Sequence, residues 1–171
     1  MAGTKSYGYL RDTNKDFHIL VHRLAHRHVI LSGGGTTTLV EGDSGAMCVF
    51  DTAATSNFTL PAPTLGVYFD FISTIINTAD HVIQTGTDGE GFLGGVVMTN
   101  TTADQTDTFS TATDGENDFI TLNATTTGGA AAGSQISVVA ILNATAAKAW
   151  AVSGTLIISG AGATPFADSQ I

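Results

Sequence analysis

The sequence predicts an all-β protein, an antiparallel β-sandwich or jelly-roll-like barrel preceded by an extended or short-helical N-terminal arm. Three observations carry this expectation. Threonine is the commonest of the 171 residues, and β-branched side chains suit a pleated surface better than a helix. Charged residues make up only 12%, about half the usual share, while glycine is abundant at 20, so turns are frequent and polarity comes mainly from Thr, Ser and Asn. Short runs with period-two alternation recur between turn signals, and no helical pattern appears beyond residue 31. Without crossover helices a parallel α/β architecture is excluded, and no repeat of roughly 20–50 residues marks a solenoid or propeller.

Residues 1–16 are polar, contain Tyr7 and Tyr9, and read as an extended arm or a partly mobile terminus. Residues 17–31 carry two patterns. Phe17, Leu20, Val21 and Leu24 have helical spacing, with His18, His22 and His26 one turn apart on a neighbouring face. Val29-Ile30-Leu31 instead resembles a strand running into Gly33-Gly34-Gly35. A short helix breaking into a strand accommodates both.

Residues 36–40 form a strand and 41–45 (EGDSG) a tight turn. Residues 43–73 then organise the rest. Residues 46–51 are a short apolar run, and 57–60 are a strand stopped by Pro61-Ala62-Pro63, because proline has no backbone donor to continue a central strand. Gly66 opens a third strand with Val67, Phe69 and Phe71 on one face and Tyr68, Asp70 and Ile72 on the other. Val67, Phe69 and Phe71, joined by Trp150, are the expected core or oligomer residues. Further strands are expected at 80–85, 96–99, within 100–118, at 119–123, 134–142, 148–154 and 155–159, before a loose tail.

The chain divides by charge into a basic arm, residues 1–31, and an acidic β-sandwich body, residues 32–171. The arm holds Lys5, Arg11, Lys15, Arg23 and Arg27 against Asp12 and Asp16; the body holds one base, Lys148, and every other acid of a chain whose net charge is −9. Such an arm neutralises its own body or reaches an acidic partner, so its five bases are the expected docking residues. The body lacks the bases that phosphate neutralisation needs, so no nucleic acid is expected. No run approaches the roughly 18 apolar residues of a membrane span, and no apolar stretch follows Lys5, so no membrane is expected and synthesis in a cytosol is. Cys48, inside an apolar run with no base beside it, reads as a buried structural thiol.

The candidate chemistry is weak throughout. Gly42-Asp43-Ser44-Gly45 spells the core of the trypsin-like nucleophile motif, but only 43 residues precede Ser44 and Ala46-Met47 replace the glycine-proline pair expected next. A β-turn with Asp and Gly at favoured positions explains the same letters. His18, His22, His26 and His28 have metal-binding spacings, but Arg23 and Arg27 lie among them and no carboxylate or cysteine cluster matches. The acids from Asp104 to Asp118 fit no calcium loop and read as a solvated face. The N-x-T triplets at Asn57, Asn100, Asn123 and Asn143 follow from composition, and Gly33-Gly34-Gly35 lacks the lysine of a phosphate loop. No enzymatic activity, metal or cofactor is expected.

DSGAMCVFD, NFTLPAP, Gly66 with VYFDFI, and the later Trp150-Ala151-Val152-Ser153-Gly154 together resemble a pattern common in small β-rich virion proteins of tailed bacteriophages. The likeness spans residues 36–154. It implies a capsid decoration (cement) protein, often a homotrimer, on the outer surface of a phage head, with the major capsid protein as partner and the shell stabilised by bridging its subunits. The alternative is a tail or head fibre module that binds a receptor or glycan, for which Tyr68, Trp150 and residues 86–95 are the candidate sugar platform.

Overall fold

A computed structural model of the chain describes residues 27–87, 89–112, 117–142 and 148–168. These residues are nearly all β. The strands are β1 (Val29–Leu31), β2 (Gly35–Thr38), β3 (Met47–Phe50), β4 (Ser56–Thr59), β5 (Tyr68–Ser73), β6 (His81–Gln84), β7 (Phe92–Asn100), β8 (Thr106–Ser110), β9 (Phe119–Leu122), β10 (Gln135–Ala140), β11 (Trp150–Ile158) and β12 (Phe166–Ala167). Seven form one sheet in the order β1-β3-β5-β10-β11-β7-β8, and five form a second in the order β12-β9-β6-β4-β2.

The first six strands alternate between the sheets. In the larger, β1, β3 and β5 are mutually parallel, with Val29 beside Met47 and Met47 beside Asp70. In the smaller, β2, β4 and β6 are parallel, with Gly35 beside Ser56 and Ser56 beside His81. The chain therefore winds around its own core, three times through each sheet. This departs from the antiparallel expectation. A parallel pair needs a crossover, commonly a helix. Here the crossover is a strand in the opposite sheet, and it leaves no helical signature. Antiparallel pairing dominates the second half, where β10 lies between β5 and β11, and β9 between β6 and β12. The exception is β11, which runs parallel to β7 along nine residues.

Local signals mark most strand ends. Pro61 follows β4 after Leu60 makes its last sheet bond, donating to the Gln84 carbonyl at 2.8 Å. Gly66 has φ of 86°, a left-handed value that favours glycine, and its N–H reaches the Ala140 carbonyl at 2.9 Å to start β5 beside β10. Three boundaries differ from expectation. The strand at 96–99 extends back to Phe92, those at 148–154 and 155–159 merge into β11, and the tail ends in β12 with Phe166 buried. Val29–Leu31, at the end of the basic segment, is a strand of the larger sheet.

The inner faces of the two sheets share one hydrophobic core. Phe58 of the smaller sheet meets Phe50 of the larger edge-on, with centroids 5.2 Å apart, and Phe71 at 5.5 Å. Val67, Phe69, Phe71 and Trp150 are all buried, with Trp150 set against Phe69 at 6.4 Å. Cys48 is buried as expected, and desolvation pushes its thiol up to about 12.

His81 is a buried polar residue that the sequence does not reveal. Its ring stacks on Phe50 at a centroid distance of 4.6 Å, and Nε2 lies 3.1 Å from the Ala54 carbonyl oxygen. A carbonyl only accepts, so Nε2 carries the hydrogen of this bond. Burial lowers its pKa, partly offset by the Ala54 and Thr52 carbonyls and by Asp80. The folded chain therefore binds fewer protons than the unfolded one below about pH 6.5, the ordinary histidine value. Stability is full above that pH and falls as pH drops through it toward the folded-state value. Melting temperatures from pH 7.5 to 5 are expected to fall more steeply for the wild type than for His81→Phe; equal slopes would exclude His81 as the cause.

Candidate functional site

The site is built on the outer face of the larger sheet. Strand alternation turns Tyr68, Asp70 and Ile72 of β5 outward, opposite the buried Phe69 and Phe71. Register then aligns residues of separate strands into rows. One row runs Tyr68, Val139, Ala151, Leu93; the next runs Asp70, Ser137, Ser153, Gly95. An apolar shelf thus lies directly beside a polar one.

Asp70 is the hub. Its Oδ2 accepts from Arg27 Nη2 and its Oδ1 from the Ser137 hydroxyl. Arg27 also donates from Nε to the Gly45 carbonyl at 2.9 Å and from Nη2 toward that of Ala46 at 3.4 Å. Partial burial alone would raise the Asp70 pKa, but the Ser137 hydroxyl and the Arg27 guanidinium together hold it below the usual carboxylate value. Asp70 is consequently ionised at neutral pH and charge-compensated within the chain.

Gly42-Asp43-Ser44-Gly45 forms the rim. Glu41–Asp43 make one 3-10 turn, the Asp43 carboxylate accepts from the Val40 N–H at 3.0 Å, and the Ser44 hydroxyl accepts from the Tyr68 N–H at 3.2 Å. These letters are turn chemistry that seats Tyr68. The Gly45 N–H adds a bond to the Tyr68 carbonyl at 2.8 Å, and the phenol lies across Gly45. Around Asp70 three hollows adjoin. One of about 530 Å³ is lined by Arg27, His28, Ser44, Gly45, Tyr68 and Asp70. A mainly apolar one of about 340 Å³ lies over Tyr68, Val139 and Ala151. A third, about 200 Å³, lies between Arg27, Met47 and Gln135.

Of the expected docking bases, Arg27 is the one within the described residues, and it is engaged with Asp70; Lys5, Arg11, Lys15 and Arg23 lie outside them, as do His18, His22 and His26. His28 lines the largest of these three hollows, and no group of three metal-ligating side chains occurs among the described residues. Trp150 is fully buried and cannot serve as a platform, whereas Tyr68 is 46% exposed and can. Asp118, expected on a solvated face, is buried beside β12, its N–H donating to the Ala167 carbonyl at 3.2 Å. The joining of Arg27, Asp70 and Ser137 is absent from the sequence reading. Alternation in YFDFI places Tyr68 and Asp70 together, but nothing local points to Ser137 or Arg27.

No helix among the described residues is long and apolar enough to cross a membrane. No protein-family model matches the chain, and no curated protein matches it. The architecture defines a two-sheet β protein with a trough on one outer face.

Proposed function

We propose that this chain is a structural virion protein, a capsid decoration (cement) protein without catalytic activity, whose β-sandwich body binds the outer surface of a phage head. Three copies would bridge neighbouring subunits of the major capsid protein, so that shell rupture must also break these contacts. The observation that supports the reading is the edge of β1. Among the described residues β1 pairs only with β3, and it exposes Val29 and Leu31, 49% and 57% accessible. Edges of this kind are normally guarded by lysine or proline, and β1 itself, Val-Ile-Leu, contains neither. It directly follows the basic segment, so strand addition to a capsid edge and attraction to capsid acids act at one place. Arg27 is paired with Asp70, so the reading assigns the attraction to Lys5, Arg11, Lys15 and Arg23.

Replacing Val29 and Leu31 with lysine leaves β3 pairing intact but opposes strand addition. The double variant is expected to lose head binding by at least about tenfold with an unchanged circular dichroism spectrum. Wild-type binding would reject the edge. Removal of residues 1–26, which spares β1 and Arg27, tests the four bases in the same assay. Hundreds of copies per purified particle fit cement; a handful favour the fibre-module reading, which the trough beside Tyr68 supports.

A further inference from the structure

We infer that the trough around Tyr68 and Asp70 is a binding site for a neutral saccharide. The inference deepens the glycan-binding alternative and does not rest on the cement reading, because it concerns the outer face of the sheet and not the β1 edge.

The chemistry of the lining selects the ligand class. A pyranose presents hydroxyls around its rim and C–H groups on its faces, so its site needs an exposed aromatic or apolar shelf beside groups that both donate and accept. The Tyr68, Val139, Ala151 row supplies the shelf, and Tyr68 and Val139 are 46% and 37% exposed. The adjoining Asp70, Ser137, Ser153 row supplies the polar side. Each Asp70 oxygen takes one bond from Arg27 or Ser137 and keeps a lone pair for a second, while the serine hydroxyls donate or accept as required. Arg27 holds five N–H donors, and its Nη1 pair has no partner among the described residues.

Charge disfavours the alternatives. Among the described residues that line the trough Arg27 is the one arginine or lysine, and Asp70 compensates it, which disfavours a phosphate, sulfate or sialic acid, as does the overall charge of −9. A divalent cation would have to displace Arg27 from Asp70, and among the described residues no second carboxylate lines the hollows.

The site is also preorganised. The Tyr68 backbone is held at both its N–H and its carbonyl, by Ser44 and Gly45, and the phenol rests across Gly45. Arg27 and Ser137 hold the Asp70 carboxylate from two sides. Little side-chain freedom remains to be lost on binding, which favours affinity. The larger hollow alone, about 530 Å³, falls within the range of small-ligand pockets.

The test is a glycan array probed with the full chain, containing neutral hexose and N-acetylhexosamine oligomers beside sialylated and sulfated glycans, followed by calorimetry on the hits. Binding confined to neutral glycans is expected. Tyr68→Ala should weaken it by about tenfold or more, and Ser153→Trp, which fills the trough from an exposed position, should abolish it, both with unchanged melting temperatures. No neutral glycan bound at millimolar concentration, selection of the anionic glycans, or wild-type affinity in both variants would each overturn the assignment. Head binding lost in both variants without any glycan binding would also overturn it and make this face a protein contact.

Discussion

Phe58→Ala is expected to lower the unfolding free energy by about 3–5 kcal/mol, the usual cost of truncating a fully buried phenylalanine. The side chain is inaccessible to solvent and enters the core from β4, between Phe50 and Phe71 of the opposite sheet. Its loss removes apolar burial and two edge-on ring contacts, each worth about 0.5–1.5 kcal/mol beyond area alone. It also leaves a void where the two sheets meet, and the parallel windings on either side cannot close in without slipping register. Against a total stability of about 5–15 kcal/mol the change is large. Urea denaturation should show a lower midpoint with an unchanged slope; a loss below about 1 kcal/mol would mean that the sheets do not depend on this ring.

Gly94→Ala is the second. Gly94 lies in β7, opposite Val152 of β11, at the third of the nine positions of the parallel pairing, with φ of 137°. A Cβ there would overlap the Val152 carbonyl oxygen and come within 3.1 Å of its carbonyl carbon and 3.2 Å of its nitrogen. Those atoms are backbone, so no rotamer change relieves the clash; β7 and β11 must part. Overpacking costs about 1–3 kcal/mol and a left-handed φ adds about 1–2 kcal/mol for a residue with a Cβ, so a loss of about 2–5 kcal/mol is expected. Gly42→Ala, at an exposed turn with no atom within 4 Å of the added carbon, is the control and should be neutral. Equal melting temperatures for the two variants would refute the close approach of the strands.

The short-range rules served well where one residue decides. Pro61 ends β4, Gly66 starts β5, and the alternation of residues 67–72 separates the buried Phe69 and Phe71 from the outward Tyr68 and Asp70. They failed where strands meet. Period-two alternation is the same for a parallel and an antiparallel neighbour, so nothing in residues 47–50 or 56–59 records that β3 and β4 have parallel partners. Glycine within a strand signals a close approach, as Gly94 and Gly154 do, but not which strand approaches. Alternation puts His81 on the same strand face as Ile83, but a histidine at that position does not announce that its ring is buried against Phe50.

The candidate site divides in the same way. Tyr68 and Asp70 share a face because they are two residues apart, a relation that any extended chain enforces. Arg27, Ser44 and Ser137 reach them only through β1 beside β3, β3 beside β5, and β5 beside β10. By itself, the sequence of this protein determined its β character, its strand ends and the sidedness of each strand, because these follow from dihedral preference, missing donors and apolar alternation over a few residues. Only the tertiary structure decided the winding between sheets, the placing of His81 on Phe50, and the pairing of Asp70 with a guanidinium 43 positions away. Those depend on which strands become neighbours, and that choice is made by the free energy of the whole core, not by any segment within it.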